Sequence, residues 1–211
     1  MFTIQTFTFN PFHENTYVLF NKEKQTIIID PGAYDNKEKF RLENFIEDNG
    51  LEVKYLLNTH CHIDHVFGEK YFSHKYNATP HIHLEEEEIL FTASTVSEQY
   101  GLEFEEYKGN VHFIDEKDKI ILGQDQLQII FTPGHSPGSL SFYCEKQKFV
   151  ISGDVLFRQS IGRTDLYKGN HQQLLHSIKE KLFTLPDDTT VYPGHGHITS
   201  IGFEKINNPF L

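Results

Sequence analysis

Three histidines and one aspartate lie within the segment Thr59-His60-Cys61-His62-Ile63-Asp64-His65. Imidazole and carboxylate groups are the ligands that borderline divalent metals take at neutral pH. A hydrophobic core has no use for such a group of side chains, because burying an unpaired polar group costs about 2–7 kcal/mol. The segment is therefore predicted to bind metal.

The spacing of the four side chains separates them into two directions. Side chains alternate in extended backbone, so His60 and His62 point the same way. Asp64 and His65 enter a predicted helix start and project in another direction. We therefore expect this one segment to serve two neighbouring metal positions.

Three further candidate ligands each follow an apolar run that is predicted to form a strand. His135 lies in the turn Pro133–Gly138, Asp154 ends the run Val150–Asp154, and His195 lies in the turn Pro193–Gly196. Glycine and proline let the backbone turn sharply and aim a side chain. Five histidines and two aspartates predict a binuclear site, in which a bridging carboxylate and a hydroxide hold two metals about 3.5–4 Å apart.

The elements that position these residues are predicted from hydrophobic periodicity and turn signals. Strands are predicted over residues 2–9, 16–20, 25–29, 53–58, 81–83, 120–122, 126–131, 139–143, 149–152 and 190–192. Helices are predicted over residues 36–49, 65–76, 85–100 and 171–183, and from about residue 199. Both halves run strands, helix, strands, which predicts one α/β domain over residues 1–211, a four-layer αβ/βα sandwich of two mixed sheets with outer helices.

Composition excludes several classes of partner. The formal net charge of −11 argues against nucleic acid and anionic membrane, because both need a basic surface. No apolar run approaches the roughly 20 residues that span a bilayer, and no export signal is evident. Two cysteines are too few for a disulfide framework, so we expect a cytoplasmic protein with a small-molecule substrate.

Other chemically suggestive residues are interpreted as structural. His81 and His83 form a second H-x-H pair without an evident carboxylate partner, and His197 lies in the same turn as a stronger candidate. Cys61, between two candidate ligands, is interpreted as a packing residue. The run Glu85–Glu88 is interpreted as a solvated first helical turn, where acidic side chains suit the positive end of the helix dipole.

The ordered motifs H-x-H-x-D-H, P-G-H-S-P-G-S, S-G-D and P-G-H-G resemble those of the metallo-β-lactamase fold superfamily, over essentially the whole chain. The segments 153–157, 162–166 and 208–211 are similar to the short bacterial type of glyoxalase II-like thioesterase. The resemblance implies one metal held by His60, His62 and His135, and a second held by Asp64, His65 and His195, with Asp154 as the bridge. The helical C-terminal region with which full-length glyoxalase II helps to hold glutathione has no counterpart after His195.

The implied chemistry is hydrolysis by two divalent ions, with zinc as the first expectation and iron or manganese as alternatives. Such ions lower the pKa of water to about 7 and stabilise an oxyanion. Asp64 is expected to orient the attacking hydroxide. No further general acid is evident, which favours a thioester such as S-D-lactoylglutathione, because a thiol of pKa about 8.5 leaves readily as thiolate.

Four more residues are candidates for the surroundings of the site. Arg163 is expected either to hold an anionic substrate group or to fix its loop through an ion pair. Asp30 is a candidate acceptor for an N–H group of a ligand histidine. Asn15 and Tyr17 are candidate borders of the cleft.

Other functions stay open from the sequence. A persulfide dioxygenase on this fold would use one iron, held by His60, His135 and Asp154 as a facial triad. Hydrolysis of another activated ester, a lactone or a lactam, and a non-catalytic metal-stabilised binding module, are further alternatives. The sequence leaves the acyl group, the thiol carrier and the oligomeric state open.

Overall fold

Two six-stranded mixed sheets form the centre of the molecule in a computed structural model that describes residues 1–211. The first sheet contains, in spatial order, β1 (Thr3–Phe9), β2 (Glu14–Phe20), β3 (Gln25–Ile29), β4 (Glu52–Leu57), β5 (Pro80–Ile82) and β6 (His112–Phe113). The second contains β7 (Lys119–Leu122), β8 (Asp125–Phe131), β9 (Leu140–Cys144), β10 (Phe149–Gly153), β13 (Thr190–Pro193) and β14 (Thr199–Ser200), again in spatial order.

Six α-helices and a small hairpin complete the fold. The hairpin joins β11 (Leu156–Phe157) to β12 (Ser160–Ile161). The helices are α1 (Asn36–Asp48), α2 (Ile63–Val66), α3 (Glu69–Tyr76), α4 (Glu87–Gln99), α5 (His171–Glu180) and α6 (Ile201–Asn207). None of them is both long and apolar enough to cross a bilayer.

The alternation of side chains along the strands produces the layers. In β3, Ile27 and Ile29 join the core between the two sheets, whereas Ile28 faces the other way and packs with Leu42 of α1 and Phe72 of α3. The outer face of the second sheet is covered in the same manner by residues of α5 and α6. The predicted four-layer sandwich is therefore confirmed.

One predicted helix is interrupted. The sequence predicted a single helix over residues 65–76, but the chain forms α2 and α3 with a break at Phe67-Gly68. The backbone N–H of Gly68 donates to the Pro31 carbonyl at 2.7 Å, and a β-carbon at Gly68 would press on that carbonyl. A tertiary contact thus turns the chain where local periodicity favoured continuing the helix.

Parallel strands place the candidate ligands at one edge. β3, β4 and β5 are parallel neighbours in the first sheet, and β10 and β13 are parallel neighbours in the second. Strands that run parallel end at the same edge of a sheet. The loops after β4, β10 and β13 therefore open side by side, and the loop after β8 reaches the same place.

Replacement of a central core residue tests this packing. Phe142 of β9 is fully buried between the sheets, so we expect Phe142→Ala to lower the free energy of unfolding by about 3–5 kcal/mol. Phe210→Ala is the control, because that ring is 54% exposed. Chemical denaturation of both variants measures the difference, and equal small losses would contradict the assigned core.

Candidate metal centre

Three imidazole nitrogens converge between the loop after β4 of the first sheet and the loop after β8 of the second. His60 and His62 follow β4, and His135 follows β8. His135 Nε2 lies 2.9 Å from His62 Nδ1 and 3.2 Å from His60 Nε2. Nitrogens bound tetrahedrally to one zinc ion at 2.0–2.1 Å lie about 3.3 Å apart, so this group has the spacing of a metal site.

Hydrogen bonds from the opposite ring nitrogens fix two of these histidines. His135 Nδ1 donates to the Arg163 carbonyl at 2.8 Å. The Thr59 hydroxyl donates to Asp30 at 2.6 Å and lies 3.1 Å from His60 Nδ1, from which it can accept. Each contact leaves an Nε2 lone pair directed at the common centre, as is usual for ligand histidines.

A second group forms from Asp64, His65 and His195. Asp64 Oδ2 lies 3.1 Å from His195 Nε2 and 3.7 Å from His65 Nε2. His195 Nδ1 donates to the Phe12 carbonyl at 3.0 Å, and His65 Nδ1 lies 3.0 Å from Asp30 Oδ2. Both Nε2 atoms are therefore free to bind a cation.

Asp154 lies between the two groups. Its Oδ2 atom is 3.5 Å from both His135 Nε2 and His195 Nε2, and its Oδ1 atom is 3.5 Å from His65 Nε2. Asp154 Oδ1 and His65 Nε2 are buried and have no hydrogen-bond partner. Buried polar atoms are rarely left unpaired in proteins, so these two atoms fit ligands of a metal ion.

The pKa shifts of His60, His62 and the two carboxyl groups favour the forms that bind metal. Burial, reinforced by neighbouring histidines, lowers the pKa of His60 and lowers that of His62 to about 3, so both are neutral at pH 7. Burial opposes ionisation of Asp64 and Asp154, but His65 and His195 outweigh it and lower both carboxyl pKa values. The centre thus offers ionised carboxylates beside neutral imidazoles.

The same two carboxylates change the pKa values of both imidazoles in the second group. Burial alone would lower the pKa of His65 and of His195, but Asp64 and Asp154 raise both above the ordinary value. A divalent cation at this position would take the place of the proton that these carboxylates attract.

Asp30 holds the backbone that carries the ligands. Its carboxylate accepts from both the backbone N–H and the hydroxyl of Thr59, each at 2.6 Å, and lies beside His65 Nδ1. Asp30 itself has φ of +52°, a strained value for a residue with a β-carbon, and Gly153 opposite has φ of +51° where a side chain would overlap Thr59. Asp30 has ligand spacing to His60 and His65, but both of its oxygens are engaged in these contacts, which fit a residue that orients ligands.

Glu86 connects the two loops that carry the first group, and this role was not predicted from the sequence. The run Glu85–Glu88 was expected to be solvated, and for Glu86 that is wrong, because it is 1% exposed. Its Oε2 atom accepts from the Cys61 N–H at 2.8 Å, and its Oε1 atom accepts from the Ser136 hydroxyl at 2.6 Å and the Gly138 N–H at 2.7 Å. Its helical spacing to the buried residues Leu90 and Ala93 is the one sequence signal that indicated burial.

The N-terminal hairpin supports the loop of His195 from below. The Asn15 side chain donates to the carbonyls of Pro193 and Gly196 at 3.1 and 3.0 Å, and the Tyr17 hydroxyl donates to Pro193 at 2.7 Å. Both residues are buried beneath the site, so the expectation that they border the cleft is wrong. Glu14, a buried carboxylate with a pKa raised by burial, forms a backbone bridge to His195 and was also missed.

The centre forms the floor of an open cleft of about 800 Å³. Arg163 lines this cleft, but its guanidinium makes two contacts to Asp165, Nε to Oδ1 at 2.7 Å and Nη2 to Oδ2 at 2.8 Å. His81, His83 and His197 belong to none of the groups that have metal-ligand spacing.

The sequence model of the metallo-beta-lactamase superfamily matches residues 9–195, which contain all seven candidate ligands. The chain belongs to this superfamily. Proteins of this fold bind metal ions, and the relatives of this chain include proteins described as metallo-hydrolases.

Three curated relatives show the range of functions in the family. The chain is 39% identical to the probable metallo-hydrolase YqgX of Bacillus subtilis, over 95% of this chain and 93% of the relative. It is 35% identical to the hydroxyacylglutathione hydrolase GloC of Haemophilus influenzae, with the same coverage of both chains. It is 30% identical to the mitochondrial persulfide dioxygenase ETHE1 of Mus musculus, over 93% of this chain and 70% of the relative.

Two solved structures share the whole fold. BLEG-1, described as a B3 metallo-beta-lactamase, superposes with a TM-score of 0.91 at 35% identity, covering 99% of both chains. TTHA1623, solved in a di-iron-bound form, superposes with a TM-score of 0.88 at 33% identity, covering 98% of this chain and all of the other. The second shows that a relative with this fold accommodates two metal ions.

The division of ligands into two groups is tested by removing one ligand from each. We expect Asp64→Ala to keep about one ion per chain in the first group, and His62→Ala to keep about one in the second, because the groups share only Asp154. His197→Ala is the control and keeps the full content. Metal analysis after dialysis gives the stoichiometry, and cobalt absorption spectra identify the remaining site; loss of all metal from either variant would mean one shared site.

The linking role of Glu86 is tested by Glu86→Gln. Glutamine has the shape of glutamate but only one acceptor oxygen. Its NH₂ group would face an N–H or O–H donor, from which it cannot accept a hydrogen bond. We therefore expect the affinity of the first group for zinc or cobalt to fall about 10–100-fold. Glu204→Gln is the matched control, since Glu204 is equally buried but accepts from Gln159 N and Asn208 Nδ2 instead. Equal losses of metal affinity in the two variants would contradict the role of Glu86.

Proposed function

We propose that the protein is a binuclear metal-dependent hydrolase of thioesters, of the glyoxalase II-like type, with zinc as the first metal to test. The observation that carries the proposal is the pair of ligand groups joined by Asp154 on the floor of an open cleft. The similarity to the hydroxyacylglutathione hydrolase GloC supports the thioester class. Two buried free cysteines support a reducing, cytoplasmic location.

The metal ions and Asp64 have separate roles in the proposed hydrolysis. When bound, two divalent ions supply acidity for water and polarise a carbonyl. Asp64, ionised and 14% exposed at its side chain, accepts a hydrogen bond from the attacking water and directs it toward the carbonyl carbon. The low dielectric of the buried floor strengthens these interactions.

The leaving group favours a thioester over a lactam. A thiolate leaves without protonation, since a thiol has a pKa of about 8.5, whereas an amine must be protonated. The Tyr167 hydroxyl in the cleft donates to Glu88 at 3.0 Å and is thereby turned away from the metal ligands. A thioester therefore requires less of the residues in the cleft than a lactam does.

A persulfide dioxygenase is the second candidate, because the mouse enzyme of that name is 30% identical to this chain. That reaction would use one iron with His60, His135 and Asp154. It leaves the group of Asp64, His65 and His195 without a role, although all three side chains converge. The complete second group therefore favours hydrolysis.

Release of thiol from S-D-lactoylglutathione by protein loaded with zinc, iron or manganese tests the proposal. We expect turnover with at least one metal at two ions per chain. His195→Ala should reduce kcat/KM at least about 100-fold, because it removes a ligand and its hydrogen bond to Phe12, whereas His197→Ala should not change it. One iron per chain, together with oxygen uptake on glutathione persulfide, would instead identify the dioxygenase.

A further inference from the structure

One wall of the cleft is an apolar stripe of helix α4. Ile89, Ala93, Val96 and Tyr100 follow one another at helical spacing and all line the cleft. The first two are buried against Ile63 and Phe67, which fixes the stripe beside the metal ligands. Val96 and Tyr100 remain 36% and 52% exposed, although the first is apolar and the second has an apolar ring beneath its hydroxyl.

Another part of the lining is apolar as well. It includes Phe157 and Ile161 of the β11–β12 hairpin and Leu166, and the ring of Phe157 lies 6.2 Å from that of His195. Thr92 offers little polarity to the lining, because its hydroxyl donates to the Glu88 carbonyl of its own helix at 2.7 Å. Apolar residues thus make up 11 of the 21 that line the cleft, and Phe157 brings them next to the centre, whereas Gln99 and Ser160 are polar parts of the lining.

Charged side chains of the cleft are already neutralised in pairs. Arg163 is bound through two contacts to Asp165, and Glu88 accepts from Lys168 at 2.8 Å. The Asp64 and Asp154 carboxylates face the centre. No unpaired cation lines the cleft to receive an anionic group, so the charged part of a thiol carrier has its best environment in solvent beyond the mouth.

We propose that the cleft selects thioesters by an apolar acyl chain, which lies against the stripe of α4, and that a hydroxylated acyl group such as lactoyl is disfavoured. This inference rests on the proposed thioesterase function. A cleft of this volume is within the range of small-molecule sites, and its continuity with the metal ligands places the chain next to the scissile carbonyl.

A series of S-acylglutathiones that differ only in the acyl group tests the proposed selection. We expect kcat/KM to rise about three- to fourfold per methylene from acetyl to butanoyl to hexanoyl, since each buried methylene is removed from water. Lactoyl and 2-methylpropanoyl differ only by a hydroxyl in place of a methyl group. After division by their rates of hydroxide-catalysed hydrolysis, the 2-methylpropanoyl ester should be preferred.

A charge on the stripe should abolish the selection. We expect Val96→Asp to remove the preference for hexanoyl over acetyl, because the new carboxylate places a charge against the apolar end of the longer chain. Ile206→Asp is the matched control, an exposed apolar residue of another helix that does not line the cleft. It should keep the preference.

The outcomes separate this inference from the proposed function. Thiol release that is flat across the series, or that favours lactoyl after normalisation, would overturn the acyl assignment and leave the thioesterase intact. A rise in kcat/KM with the apolar size of the thiol, at constant acetyl, would also overturn it. Absence of thiol release from every ester with all three metals would remove the proposed function itself.

Discussion

Five imidazoles and two carboxylates lie together in one partly buried centre. The free-energy cost of burying these polar groups is the constraint on which the surrounding structure depends. Unpaired polar atoms such as Asp154 Oδ1 and His65 Nε2 are tolerable only where cations complete their coordination. The rest of the fold must therefore hold the ligand side chains at the spacing that a bound cation requires. The two sheets do this, because the loops after the parallel pairs β3–β4 and β10–β13 open at a common edge.

Each ligand loop is held by contacts that do not reach the cations. Arg163 and Phe12 offer backbone carbonyls to His135 and His195, while Asp30 secures Thr59 and His65. Glu86 accepts hydrogen bonds from both loops of the first group. Such outer contacts set the direction of the ligand lone pairs, and losing one typically lowers metal affinity about 10–100-fold.

Sequence could predict the layers because both halves run strands, helix, strands, and could pick out the ligands because His60–His65, His135, Asp154 and His195 each follow a strand with turn residues. Of the supporting contacts it indicated Asp30, but it could not predict those of Glu86 and Gly68. Glu86 reaches the Gly138 N–H across 52 residues of chain, and Gly68 breaks a helix through Pro31. Pairings of this kind leave no local pattern, and the ion pair of Arg163 with Asp165 is decided by loop conformation.

The hydrogen bonds from Asn15 and Tyr17 to the loop of His195 join parts of the chain that are 176 to 181 residues apart. Every ligand of the first group has been synthesised by residue 135, whereas the second needs β13, near the end of the chain, to dock on β10 and meet the N-terminal hairpin. A chain without β13 and the loop after it would lack His195, one of the three ligands of the second group, whereas His60, His62 and His135 of the first group would all be present.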